Sequence, residues 1–293
     1  MTRPPGEIAV PPRLRASLDG THHVWLEQLP HLIGRASTRW RLVVGQPYVP
    51  GGASAWVAPV SLALGESPAV LKLGHSRQAI SEEAQALRLC NGDGMVRLID
   101  HDDELGALLI ERCRRDATAE TMSSKRAIQV ATTLLSQVWM HGASGAQVDS
   151  LAGRAPTTLE GIGREPALSG VRGAAVAGWE YLVSSSAVDL LHGDCHPRNI
   201  LMMGGGQWRL IDPKPFLGDR TYDLAQVLLH FGDPLDGALR SRVRSVAAST
   251  GVDMEVLRCV VAARCAEWAL WCRARGLDGS ARWNIAAIES VMC

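Results

Sequence analysis

The chain has 293 residues, of which 46% are hydrophobic, enough to bury two modest cores or one large one. Thirty basic and thirty acidic residues cancel, so bulk charge selects neither nucleic acid nor an anionic membrane as partner. The N-terminal MTRPPGEIAVPPRL lacks the apolar core of a signal peptide, and no apolar run approaches the ~18 residues of a spanning helix. The seven cysteines form no Cys-x-x-Cys pair, which points to neither a disulfide framework nor a zinc site. A soluble protein of the reducing cytoplasm is expected. Among the basic residues only Lys72, Lys125 and Lys214 are lysine, so a lysine inside an apolar strand is not incidental.

The proline-rich start, residues 1–20, reads as an irregular or partly helical arm. Residues 23–34 predict a short helix broken near Pro30. Strands are predicted at 40–45, 55–63 and 69–73, where β-branched and aromatic residues are separated by Gly, Pro and Ser. Residues 79–90 place Ile80, Glu83, Ala84 and Leu87 on one helical face. Two further strands, 95–100 and 107–112, complete a small α+β lobe over residues 1–112. Residues 113–293 form a second, mostly helical lobe. A helix is predicted at 123–141, residues 142–178 carry too much Gly and Ala to assign, and a hairpin turns at Gly204-Gly205-Gly206. Helices follow from about 221, the longest over 253–275.

The segment LHGDCHPRNI, 191–200, carries the strongest signal. His192-Gly193-Asp194 with Asn199 five positions on resembles the kinase catalytic loop, in which the Asp accepts the substrate hydroxyl proton and the Asn binds magnesium. Phosphoryl transfer needs an oriented hydroxyl and neutralised phosphates, and one short loop supplies a base and a metal ligand together. Here Gly193 replaces the arginine of His-Arg-Asp. In WRLIDP, Asp212 ends an apolar strand as a candidate second magnesium ligand, and Pro213-Lys214-Pro215 follow instead of Phe-Gly. Lys72, in AVLKL, is a candidate for the α/β-phosphates paired with Glu83, or else an edge-strand lysine facing water. Residues 50–55 could cover phosphates, with Ser54 donating a hydrogen bond, or form a plain Gly-Gly turn. Glu111 and Cys113 fall at the hinge position, where backbone groups read the base.

Together these segments resemble the aminoglycoside phosphotransferase family, and within it the streptomycin 6-phosphotransferase and hydroxyurea phosphotransferase group. The resemblance runs from about residue 40 to 230. It implies a bilobal kinase-like fold, ATP or GTP as donor with Mg²⁺, and phosphorylation of an antibiotic hydroxyl for resistance or self-protection. Asp219 and Asp223 fall on family positions, and Asp223 is expected to brace the catalytic loop.

The acceptor is less legible, because a family does not fix its substrate. From 190 to 293 eleven acidic residues face twelve basic ones, a balance that does not single out a polycation. An aminoglycoside such as streptomycin is expected, with a less charged natural product, such as a nucleoside antibiotic, as the alternative. Trp268, Trp271 and Glu267 are candidates for the acceptor site, where the two tryptophans could stack on a ligand or simply be core. A non-catalytic binding protein is disfavoured by the presence of Lys72, Asp194, Asn199 and Asp212 together. A protein kinase is disfavoured by the short run from Asp212 to the next helix.

Overall fold

The computed structural model describes residues 9–18, 22–62, 68–142, 145 and 147–293. The arm's first eight residues and the expected strand end at 63 lie outside the described residues. The chain divides into two compact units, Met1–Arg114 and Arg115–Cys293.

In the first unit, α1 (Pro12–Leu18) and α2 (His23–Trp40) precede β1 (Leu42–Val44), β2 (Ala55–Leu62) and β3 (Ala69–Gly74). Then come α3 (Arg77–Cys90), β4 (Leu98–Asp102) and β5 (Ala107–Glu111). The strands make one antiparallel sheet in the order β1-β2-β3-β5-β4. Three expectations change. Helix α2 does not break at Pro30 but runs on to Trp40. An interior proline costs ~3 kcal/mol, yet α2 buries Leu29, Leu32 and Ile33 against the sheet, each worth roughly 1.5–3 kcal/mol. Burial wins. The first strand starts at Leu42 rather than 40, because Arg41 takes a left-handed φ of 52° and ends the helix. The fourth strand is displaced from 95–100 to Leu98–Asp102: Met95 and Val96 are fully buried core residues ahead of it.

Strand β3 is the middle of the sheet and buried along its whole length. Leu71 and Leu73 join the cluster formed with α1 and α2. Alternation along a strand then turns Lys72 to the opposite face, toward α3. The edge-strand reading of Lys72 is thereby excluded.

The second unit contains β6 (Arg114–Thr118, starting at the boundary), α4 (Ser124–Met140), α5 (Leu151–Arg164), α6 (Arg172–Ser184) and β7 (Asp189–Leu191). It continues with β8 (Ile200–Met202), β9 (Trp208–Leu210), β10 (Phe216–Gly218), α7 (Thr221–His230), α8 (Leu239–Thr250), α9 (Met254–Arg273) and α10 (Asp278–Met292). The predicted hairpin is β8–β9, pairing Ile200 with Leu210 and Met202 with Trp208. Strand β7 pairs with β10. Helix α9 is the hub and packs against α6, α7 and α10. The unassigned Gly/Ala stretch holds α5 and most of α6. Two of its glycines, Gly161 and Gly178, are packing devices: a Cβ at Gly178 would lie 2.1 Å from the Cys259 carbonyl oxygen, so only glycine lets α6 approach α9 this closely.

Candidate active site

The loop after β7 is tied down from three sides. The buried Asp223 carboxylate, in the first turn of α7, accepts the backbone N–H groups of His192 and Gly193, each at 2.9 Å. It also accepts Trp139 Nε1–H from α4 at 3.0 Å. His192, with no exposed surface, bridges the loop to Ile211, directly after the hairpin. Its Nδ1 accepts the Asp194 N–H at 3.2 Å, so its Nε2 carries the hydrogen and donates to the Ile211 carbonyl at 3.1 Å. Burial lowers the His192 pKa against the opposing pull of Asp223, Asp194 and Asp212, which keeps the ring neutral as this pairing requires. Gly193 has φ 74°, and a Cβ there would lie 2.0 Å from the Lys214 carbonyl oxygen. The missing arginine of the kinase loop therefore has a physical reason: the chain after Asp212 packs directly on this position.

Asp194 presents a carboxylate whose side chain is 14% exposed. Asn199 closes the short 3-10 turn Pro197–Asn199, and its Nδ2 donates to the Asp194 carbonyl at 2.9 Å. A carbonyl can only accept, so this bond fixes the amide orientation and leaves Oδ1 as the atom able to ligate a cation. The Ile211 N–H donates to the Asn199 carbonyl at 2.9 Å, which brings the next residue, Asp212, alongside. Asp212 has φ 56°, a left-handed conformation that Asp tolerates better than most residues and that concentrates at functional sites. One amide oxygen and one carboxylate form a hard, incomplete donor set. Among the described residues no group of three or more His, Cys, Asp or Glu is placed to hold a metal. Such a set fits Mg²⁺ shared with phosphate oxygens rather than a metal caged by protein alone.

Two residues near this loop carried no role in the sequence reading. Lys214 donates from Nζ to Asp194 Oδ2. The available signal was its rarity, one of three lysines and set between two prolines. His230, the last residue of α7, lies with its ring 6.1 Å from that of His196. Burial, followed by the charge of His196, pushes the His230 pKa down to about 4.

In the first unit the structure joins the predicted pair: Lys72 Nζ donates to Glu83 Oε2 at 2.6 Å, with side-chain exposures of 8% and 5%. Glu83 is in place because α3, capped by the Ser76 hydroxyl, turns its Ile80, Ala84 and Leu87 face inward. Ser54 is exposed in the β1–β2 connection, and its carbonyl accepts the His75 N–H at 3.4 Å. The Glu111 carboxylate is engaged by Arg97, accepting its backbone N–H at 3.1 Å and pairing with Nε at 3.3 Å. Cys113 is half-buried just before the second unit.

On α9, Glu267 belongs to a polar knot. Arg154 donates to its Oε1 at 2.5 Å, and Arg264 donates to its Oε2. Arg264 also reaches Tyr222 and Gln226, both at 2.6 Å. Trp268 and Trp271 meet edge to face with centroids 5.2 Å apart, and the Arg275 guanidinium lies 4.1 Å over the Trp271 ring. Trp268 is half-buried and Trp271 exposed.

The family described as aminoglycoside/hydroxyurea antibiotic resistance kinase matches residues 39–276. The chain is 33% identical to a streptomycin 6-kinase of Streptomyces griseus over 68% of this chain and 66% of that relative's length. It is 32% identical to a streptomycin 6-kinase of Streptomyces glaucescens over 90% of this chain and 88% of the relative. A hydroxyurea phosphotransferase of Kitasatospora aureofaciens is 31% identical over 84% of this chain and 74% of its own. Among solved structures, an aminoglycoside phosphotransferase APH(4)-Ia with ADP and hygromycin B aligns with a TM-score of 0.64 at 12% identity, covering 88% of this chain and 96% of that one. Choline kinase LicA from Streptococcus pneumoniae aligns at 0.63 and 14%, covering 90% and 99%. These structures establish the kinase-like α+β fold. With a family match that spans most of its length, the chain belongs to the aminoglycoside/hydroxyurea antibiotic resistance kinases.

Proposed function

We propose that the protein transfers the γ-phosphate of ATP to a hydroxyl of an aminoglycoside of the streptomycin class, inactivating it. The observation that carries this reading is the 192–199 loop. Asp194 is held there by Asp223 and His192, and Asn199 is oriented by the Asp194 carbonyl. Asp194 orients the acceptor hydroxyl and takes its proton as the oxygen attacks phosphorus. Asn199 Oδ1 and Asp212 are the residues that would hold Mg²⁺, which when bound neutralises phosphate charge. In the first unit, residues 1–112 in our assignment, Lys72 engages the α/β-phosphates. Glu83 keeps its ammonium in place, and the Ser54 loop and the backbone at Glu111 and Cys113 serve the nucleotide. The remaining residues, 113–293, supply the base and the acceptor site, to which we assign Trp268, Trp271 and Glu267, the last with both oxygens also held by Arg154 and Arg264.

ATP is preferred over GTP as donor because a solved relative of this fold carries ADP. The relatives do not favour a nucleoside-type acceptor or a non-catalytic binding role. Among the described residues no helix is long and apolar enough to cross a membrane. We place the activity in the cytoplasm, where ATP is supplied.

The test is a panel assay of ATP consumption with streptomycin, other aminoglycosides, hydroxyurea and nucleoside antibiotics, with the product checked by ³¹P NMR. Turnover with streptomycin and a new phosphomonoester signal are expected. Turnover confined to a nucleoside antibiotic would overturn the acceptor class.

A further inference from the structure

The Lys214 side chain has no assigned part in the reaction, yet the structure spends unusual local constraint on placing it. Its N–H donates to the His192 carbonyl at 2.8 Å. Its carbonyl oxygen lies against Gly193, where any Cβ would be 2.0 Å away. Prolines flank it on both sides, restricting the backbone further. Residue 214 is therefore hydrogen-bonded to the catalytic loop through its N–H and packed against it through its carbonyl, and its side chain returns to the base: Nζ donates to Asp194 Oδ2. The ammonium is on the open side of this pair, 59% exposed against 14% for Asp194.

An exposed ion pair is worth ~0–1 kcal/mol, too little to account for this placement by stability alone. The chemistry offers a better account. An ammonium has three N–H donors, and Asp194 takes one. The carboxylate has two oxygens, and Lys214 holds Oδ2, leaving Oδ1 to receive the acceptor hydroxyl. The other cation of this loop, Arg198, is turned to Glu120, with Nε 2.8 Å from Oε1.

We propose that Lys214 is a further catalytic residue that holds the Asp194 base with one N–H and donates another to the oxygens of the phosphoryl group in transfer. The proposal rests on the phosphotransferase reading above. In the step, the acceptor oxygen forms its bond to the γ-phosphorus as the bond from that phosphorus to the β,γ-bridging oxygen breaks. ADP leaves with the electron pair of that bond, and the hydroxyl proton passes to Asp194 Oδ1. Lys214 keeps its proton throughout and supplies positive charge at the equatorial oxygens, where charge is spread in the transition state.

The experiment compares wild type with Lys214→Met, Lys214→Arg and Lys214→Ala, with ATP and the best acceptor of the panel. Each protein is also assayed for slow ATP hydrolysis without acceptor. For Lys214→Met, kcat is expected to fall about 10²–10³-fold, with both KM values within about three-fold and the melting temperature unchanged. Lys214→Arg should lie between, and methylamine in the buffer should restore part of the Lys214→Ala rate. Wild-type kcat in Lys214→Met, or a change confined to KM, overturns the proposal. Should no acceptor be turned over by wild type, the proposed substrate class falls, and the hydrolysis assay still decides this point. There, a lower rate in Lys214→Met supports Lys214 and an unchanged rate overturns it.

Discussion

The two units hold their charged groups by opposite means. In the first, Lys72 and Glu83 are clamped by burial: one projects from the central strand, the other from the inward face of a helix, and they meet 2.6 Å apart. In the second, Asp194 is on a loop whose peptide groups are fastened by a remote buried carboxylate, by a neutral histidine and by a glycine that admits the next segment. In the roles we propose for these groups, a point charge for phosphates needs a fixed position and a constant charge. A base needs fixed backbone and a side chain still open to its substrate. Packing supplies the first, and hydrogen bonds to the backbone supply the second.

The largest expected effect separates chemistry from support within the loop. Asp194→Asn should lower kcat by about 10²–10⁴, because the amide cannot take the hydroxyl proton. The fold should survive, since the loop is held through backbone groups that this change leaves alone. Steady-state rates beside a thermal melt check both halves, and a wild-type rate removes Asp194 from the mechanism.

The clamped pair should behave the other way round. Lys72→Met strands a buried carboxylate and should cost about 3–5 kcal/mol in urea unfolding, whereas the double change Lys72→Met with Glu83→Leu should recover most of that loss. Activity should be lost in both, because the phosphate contact we propose for Lys72 is gone. A double variant as unstable as the single one would show that the pair is not what strains the unit.

Asp223→Asn probes the fastening of the loop. One amide oxygen cannot replace a carboxylate that accepts three hydrogen bonds, and its NH₂ group would point at donors. A loss of roughly 2–4 kcal/mol is expected, together with a fall in kcat, and Asp223→Asn should not deepen the loss already made by Asp194→Asn. Additive losses in the double variant would mean that Asp223 acts outside the base.

This contrast also explains what could be read in advance. Lys72 with Glu83, and Asp194 with Asn199, were legible because their signals are local: a charge in an apolar strand, an inward helical face, a five-residue spacing. The passage of α2 through Pro30 was not, because the decision lies in the burial of Leu29, Leu32 and Ile33 against a sheet formed later in the chain. Helices α5 and α6 were hidden by glycines that disfavour helix locally, two of which, Gly161 and Gly178, allow close approach to α9. The Lys214 contact was hidden for a related reason. It depends on residues 192–194 and 214 lying side by side, which no spacing rule states.

The smallest expected effect is a pH dependence carried mainly by the second unit, although burial also lowers the pKa of His196 there and of the less covered His75 in the first unit. His192 is buried with its pKa lowered, and His230 is lowered to about 4, against an ordinary 6.5 in the unfolded chain. Between those values the unfolded state binds the extra protons, so stability must fall as pH drops from about 6.5 toward 4 and must be complete above 6.5. Burial is the main cause for both rings. The carboxylates of Asp223, Asp194 and Asp212 oppose it at His192, while His196 and Arg264 reinforce it at His230 and Asp194 opposes it there. His230 keeps more than a third of its surface exposed, so solvent screening reduces its share, and the effect concentrates in the fully covered His192. Asp219, whose pKa is lowered because hydrogen bonds from Ser185, Thr221 and Tyr181 outweigh its burial, loses its contribution only below its ordinary 3.8. Urea midpoints of the metal-free protein between pH 7 and 4.5 therefore isolate the histidines. A decline over that range, slightly flattened in His230→Gln, is the expected result. A constant midpoint would mean that the His192 ring accepts a proton without disturbing its bond from the Asp194 N–H, which the geometry of Nδ1 does not allow.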